Sequence, residues 1–299
     1  TAGRAGAFAN KDVGAGKAVT VTGYTISGTD AANYALVQPT GLTADITQLA
    51  LNVTGATAAS RVYDQGVAVA ISGGAIAPIS GDTVTLSTAG RAGTFANKNV
   101  GTAKAVTVTG YTISGADAAN YALVQPTGLT ADITQLTLNV TGTSAANKIY
   151  DALTTATISG GAIAPISGDT VTLSTAGRAG TFANKNVGLA KAVTVTGYTI
   201  SGADAANYAL IQPTGLTADI TQLTLNVTGA TAASRVYDQG VAVAISGGAI
   251  APISGDTVTL STSGRAGTFA NKNVGTAKAV TVTGYTISGA DAANYALVQ

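Results

Sequence analysis

The nine residues Val106–Ser114, VTVTGYTIS, alternate between apolar and hydroxyl-bearing side chains. In an extended chain Val106 and Val108 share one face, and Thr107 and Thr109 the other. Branching at Cβ stiffens both residue types and suits them to a pleated surface. After Gly110 the apolar positions become Tyr111 and Ile113, so their parity changes from even to odd. A one-residue change of phase would turn an apolar face outward unless something corrects it. A glycine inside a strand pattern marks a bulge or a bend. The pattern therefore predicts a strand, a bulge at Gly110, and a continuing or second strand.

The same nine residues recur, with successive copies starting 87 residues apart at positions 19, 106, 193 and 280. Around the copy at 106 the pattern predicts further strands at Leu49–Val53, Val67–Ile71, Ala75–Ile79 around Pro78, Thr83–Leu86 and Leu129–Ile133. Ser80-Gly81-Asp82 and Pro126-Thr127-Gly128 read as turns. Asp117–Tyr121 reads as one helical turn with Asp117 as its N-cap. Ala122–Gln125 reads as extended before Pro126. Short strands between turn signals predict an all-β fold of small, sandwich-like domains.

The period sets the domain organisation. Residues 1–49 are the C-terminal part of a repeat, 50–136 and 137–223 are complete repeats, and 224–299 is a repeat lacking its last strand. A period of 87 residues exceeds the roughly 20–50 residues of a solenoid repeat, so each repeat should be a domain with its own modest core. Residues 51–125 and 225–299 differ at one position, Ala89 against Ser263. The middle repeat departs mainly in one window, TSAANKIYDALTTAT at 143–157 against ATAASRVYDQGVAVA at 56–70. All 15 aromatic residues fall on four positions of the period, those of Tyr63, Phe95, Tyr111 and Tyr121. Aromatics at fixed register read as core anchors; the competing reading is a sugar-stacking platform.

Composition narrows the chemistry. The chain has no Cys, His, Met or Trp, and its 14 acidic residues are all Asp. Without Cys and His there is no Ser-His or Cys-His nucleophile system and no ordinary zinc site. The isolated Asp64, Asp82, Asp117 and Asp132 lack the clustered carboxylates of a calcium loop, and turn or cap roles account for them. No catalytic, cofactor-binding or metal-binding residue is assigned, and no cofactor is expected. A net charge of +1 with scattered Lys and Arg argues against nucleic-acid binding. No apolar run reaches the roughly 18–20 residues of a membrane span. A Lys–Asn cross-link from Lys98 or Lys104 to Asn97, Asn99 or Asn120 competes with the reading of both as surface lysines. The sequon at Asn52-Val53-Thr54 sits in a predicted strand and reads as a chance match. The chain begins and ends inside a repeat, which reads as a segment of a longer protein.

Several motifs occur in order and at matching spacing along the repeats. They are Arg61-Val62-Tyr63-Asp64, Gly73-Gly74, Ser80-Gly81-Asp82-Thr83-Val84-Thr85-Leu86, Gly93-Thr94-Phe95-Ala96-Asn97-Lys98-Asn99-Val100-Gly101, VTVTGYTISGADAANY and Leu129-Thr130-Ala131-Asp132-Ile133-Thr134. The pattern resembles the YDG-type, mostly-β, glycine-rich repeats of large bacterial surface adhesins of the filamentous-haemagglutinin kind. It departs at the name-giving turn, where Tyr-Asp-Gly-Thr becomes Tyr63-Asp64-Gln65-Gly66, and Tyr150-Asp151-Ala152-Leu153 in the middle repeat. The resemblance implies an exported, extracellular protein, tandem all-β stalk domains, a part in adhesion or biofilm matrix, and no catalytic residues.

The joints complete the expectation. Leu129–Val140 contains no Gly, Pro or Ser, so it lacks the composition of a flexible linker. Its apolar positions change from odd (Leu129, Ala131, Ile133) to even (Leu136, Leu138, Val140). One nearly continuous extended segment should close one domain and open the next, through opposite faces. Short, stiff joints and domains about 30 Å across predict a rod on the order of 100 Å. The expected function is a non-enzymatic structural stalk or fibre segment of an extracellular adhesin. Its partners are neighbouring repeats of the same chain, and other copies where a fibre forms. The alternative is an array of weak carbohydrate-binding modules, each contacting a surface glycan and acting together by avidity.

Overall fold

The computed structural model describes residues 3–299, and they are almost entirely β structure, with a single 3-10 turn in each copy of the repeat. The chain divides into two compact units, Thr1–Leu136 and Thr137–Gln299.

In the first unit, the repeat 50–136 is built from eleven strands. They are β1 (Leu49–Asn52), β2 (Thr54–Ala58), β3 (Arg61–Val62), β4 (Ala68–Val69), β5 (Ile71–Ala75), β6 (Thr85–Ser87), β7 (Ala92–Phe95), β8 (Gly101–Thr109), β9 (Thr112–Ser114), β10 (Tyr121–Val124) and β11 (Thr130–Thr134). Five of them form one sheet in the order β3-β11-β8-β7-β4, while β2–β5, β6–β9 and β10–β1 form two-stranded sheets. The pairs β10–β1 and β11–β3 are parallel and the others antiparallel. Residues 3–46, the end of the preceding repeat, contribute a three-stranded antiparallel sheet of Ala5–Phe8, Gly14–Thr22 and Thr43–Ile46.

The core follows the predicted alternation. Val106 and Val108 of β8 are buried while Thr107 and Thr109 are exposed. Around them lie Tyr63, Phe95, Tyr111, Tyr121 and Ile133, each 4% exposed or less. All four aromatic positions of the period are thus core anchors in this repeat. Gly110 lies at φ +86 between β8 and β9, and a Cβ there would sit 2.0 Å from the Gly90 carbonyl oxygen. The chain bends at this residue, and β9 leaves the five-stranded sheet to pair with β6. Of the two expected continuations, the second strand is the one formed.

Several predicted boundaries are corrected. Val67–Ile71 is two strands, because the chain changes partner at Ala70: Ala68–Val69 pairs with β7, and Ile71 onward pairs with β2. No strand forms at Ala75–Ile79, where Pro78 offers no N–H and the Ile79 N–H donates to the Tyr121 hydroxyl. Thr83–Leu86 shifts to Thr85–Ser87, since the Thr83 N–H is taken by the Asp117 carboxylate. The helical turn is a 3-10 turn of three residues, Ala118–Asn120. Strand β2, with Gly55 at φ +67, was not predicted by the alternation.

In the second unit, the repeat 137–223 has the same five-stranded sheet, ordered Lys148–Ile149, Leu216–Thr221, Gly188–Thr196, Ala179–Phe182, Thr155–Ala156. In residues 224–299 the corresponding sheet has three strands, Ala242–Val243, Ala266–Phe269 and Val280–Thr283.

Candidate functional site

The polar residues converge where one repeat meets the next. In the first unit Thr43–Ile46 closes one repeat and Leu49–Asn52 opens the following one, with Thr47 and Gln48 between them. In the second unit Leu216–Thr221 and Leu223–Asn226 flank the single residue Gln222. The glutamine side chain fixes the crossing: Gln48 Nε2 donates to the carbonyls of Ala119 and Tyr121, and Gln222 Nε2 to those of Ala293 and Tyr295. These joints are extended and short, as the linker composition predicts.

Beside the crossing, a loop of the earlier repeat docks on the later one. Asn10 and Asn184 each accept the N–H two residues on, a local turn that shapes the loop. From it Lys11 reaches both Asp82 and Asp117, the latter at 2.7 Å. Two residues on, the Val13 N–H donates to Asn120 Oδ1 at 2.8 Å. The second unit repeats the arrangement. Lys185 Nζ lies 2.6 Å from Asp256 Oδ1 and 3.0 Å from Asp291 Oδ1, and the Val187 N–H donates to Asn294 Oδ1 at 2.9 Å.

Local structure positions the receiving groups. Asp82 follows Gly81 at φ +94 in the predicted turn, and its second oxygen accepts the Tyr121 hydroxyl at 2.6 Å. Asp117 stands before the 3-10 turn but makes no side-chain cap hydrogen bond to it. One carboxylate oxygen instead accepts the Thr83 N–H at 2.8 Å, and the other faces Lys11. Asp82 and Asp117, isolated in sequence, thus come together around an ammonium group.

The joint of the second unit is the more buried. The Asp256 side chain is 2% exposed and accepts three groups: Lys185, the Tyr295 hydroxyl at 2.7 Å and the Tyr150 hydroxyl at 2.8 Å. Tyr150 belongs to the earlier repeat, and its ring meets that of Tyr295 edge-on, with centroids 5.5 Å apart. Burial pushes the Asp256 carboxyl up, but the hydrogen bonds from Lys185, Tyr295 and Tyr150 outweigh it and hold the group below its usual range. Hydrogen bonds from Asp256, Asp291 and Tyr150 push the Lys185 ammonium above its usual value. Burial, then the Asp256 carboxylate, pushes the Tyr295 hydroxyl up to about 12.

The Tyr-Asp turn has its own geometry. Asp64 Oδ1 accepts the Gly66 N–H at 2.8 Å, and Arg61 pairs with the same carboxylate. In the middle repeat Asp151 caps the Leu153 N–H and pairs with Lys148, the residue that replaces arginine. The residue after the aspartate is left-handed in each copy, at φ 69 for Gln65, 63 for Ala152 and 68 for Gln239. Glycine adopts that conformation without steric cost, which accounts for a Tyr-Asp-Gly pattern. Lys104 donates to Asn97 Oδ1 at 2.8 Å, as Lys191 does to Asn184, and this hydrogen bond braces the loop.

No helix among the described residues is long and apolar enough to cross a membrane. A family model described as YDG domain matches residues 1–41, 47–128, 134–216 and 221–299. No curated protein and no solved structure matches the chain.

Proposed function

The chain belongs to the YDG domain family, and on that premise we propose that it is a structural stalk or fibre segment of an extracellular bacterial adhesin. The observation that carries this reading is the joint. Within each unit, consecutive repeats are linked by one or two residues and held by a lysine reaching two aspartates, which suits a segment that transmits position and tension. Near-identical copies in series give length and multivalency, whereas one reaction gains little from repeating its site. In this reading the protein is exported to the cell surface or matrix, acts in adhesion or biofilm, and has neighbouring repeats as its principal partners. Replacing the array by a Gly/Ser linker of equal length in the native gene should lower adhesion or biofilm mass while export persists. Intact cells should also expose the repeats to added protease. Unchanged adhesion, or repeats protected inside the cell, would overturn the proposal.

The carbohydrate-binding alternative needs exposed aromatic platforms. Eight tyrosines, at positions 63, 111, 121, 150, 198, 208, 285 and 295, are buried. One observation favours it: Tyr237, 51% exposed, lines a cleft of about 520 Å³ with Arg235, Asn271 and Lys278. Calorimetric titration with surface oligosaccharides tests this. Saturable binding abolished by Tyr237→Ala would support it.

A further inference from the structure

The two compact units are each larger than one repeat. In the second, a single buried cluster contains Tyr150, Phe182, Val193 and Ile220 of the earlier repeat together with Leu225 and Tyr295 of the later one. Tyr150, which meets the later repeat, is 1% exposed, whereas its equivalent Tyr237 in residues 224–299 is 51% exposed. Tyr150 is held from both sides: its N–H donates to the Thr221 carbonyl in the closing strand of its own repeat, and its hydroxyl to Asp256 of the later one.

We infer that, within each compact unit, the Asn-Lys-x-Val loop of the earlier repeat is recognised by a socket on the later one, and that this recognition makes the docked pair, rather than the single repeat, the cooperative folding unit. The socket comprises two carboxylates, a carboxamide oxygen and a tyrosine hydroxyl: Asp256, Asp291, Asn294 and Tyr295. It reads three features of the loop at once. The ammonium lies against both carboxylates, the backbone N–H two residues on meets Asn294, and the register between them is fixed by the turn at Asn184. An ammonium is a compact donor of three protons. Two of its faces meet Asp256 and Asp291, and Lys185 Nζ also stands 5.8 Å from the centre of the Tyr150 ring. A planar arginine fork does not reproduce this arrangement, so the site discriminates lysine from arginine. The same loop–socket contacts in the first unit, at Lys11, Val13, Asp82, Asp117 and Asn120, show that the arrangement belongs to the repeat pattern and not to one pair. Because loop and socket differ, each repeat can carry both, and the interface is heterologous and directional. The coupling uses the joint on which the stalk reading rests, but it does not depend on where the protein resides.

Hydrogen exchange of the full chain, read by mass spectrometry, tests it. Two segments are separable by mass despite the repetition: residues 181–196, marked by Leu189, and residues 256–266, marked by Ser263. They lie on either side of the joint. Lys185→Met should speed exchange in both segments by about 3- to 100-fold, the range of coupling between contacting residues. Lys185→Arg should not restore the wild-type rates, and residues 7–22 in the first unit should be unaffected. Wild-type rates in the Ser263 segment of Lys185→Met would overturn the inference, as would full rescue by arginine for its lysine selectivity. Asp256→Asn with Asp291→Asn approaches from the other side. Even where it loosens its own repeat, coupling requires the Leu189 segment to speed in parallel, and a wild-type rate there would mean independent repeats. That result would leave the adhesin placement, tested on intact cells, untouched.

Discussion

Replacing Tyr150 by phenylalanine removes one oxygen from the joint and leaves the packing in place. The hydroxyl donates to Asp256 Oδ2 at 2.8 Å, and the carboxylate side chain is 2% exposed, so water replaces it poorly. A hydrogen bond to a charged group contributes about 1.5–3 kcal/mol. The edge-on contact with the Tyr295 ring survives the change, so no cavity term is added. For a cooperative unit of about 150–250 residues, 1 kcal/mol shifts the melting temperature by about 2–4 °C. Scanning calorimetry of the full chain should therefore show the transition of residues 137–299 falling by about 3–12 °C. The transition of residues 1–136 should stay in place. Tyr237→Phe, at a position 51% exposed, is the control and should shift melting by less than about 1 °C. If Tyr150→Phe shifts melting no more than the control does, the tyrosine does not hold the joint and the reasoning fails.

Other outcomes follow from the same structure. Ala190 lies at φ 48 in a strand irregularity, where its N–H donates to Asp219 Oδ1, and the N-terminal copy places Gly16 at this position with φ 60. Ala190→Gly should change stability by between about 0 and +1.5 kcal/mol in urea denaturation, as relief of left-handed strain outweighs added unfolded-state entropy; clear destabilisation would contradict this. Phe182→Ala should destabilise its repeat by about 3–5 kcal/mol, since the ring is 1% exposed; a loss below about 1 kcal/mol would mean that the site is not core. Alkali should loosen the second joint. The Tyr295 hydroxyl is raised from 10.0 to about 12, so its contribution is complete below pH 10.0 and disappears as pH rises through about 12. Lys185, also raised, contributes in the same direction. Exchange in the Ser263 segment, corrected for intrinsic rate, should rise across that window in wild type and less in Tyr295→Phe.

The sequence made the strands and the core legible because alternation and the 87-residue period are local signals. Val106, Val108, Phe95 and the buried tyrosines announced themselves by parity and repetition. The joint was legible only as a segment without Gly, Pro or Ser. Its side-chain contacts join residues far apart, Lys11 with Asp82 and Asp117, and no pattern in a single repeat points from one to the other. Asp117 misled for a physical reason: an aspartate before a turn usually caps it, but here the carboxylate is drawn away by the Thr83 N–H and an ammonium from the neighbouring repeat. The left-handed Gln65 and Ala103 were illegible because neither residue type signals positive φ. For Gln65 the departure from Tyr-Asp-Gly was the one available clue, and for Ala103 it was Gly16 in the N-terminal copy.

The central claim is that the successive repeats of a compact unit are held in a fixed relation by their joint, and the absence of cysteine makes that directly measurable. Thr194 and Thr281 are exposed and occupy equivalent positions in consecutive repeats of the second unit. Spin labels on cysteines introduced at these two positions report their separation by double electron–electron resonance. A fixed joint predicts one narrow distance distribution, no broader than the labels' own rotamers allow, which widens in Lys185→Met. A broad distribution in the otherwise wild-type chain, unchanged by Lys185→Met, would contradict the account.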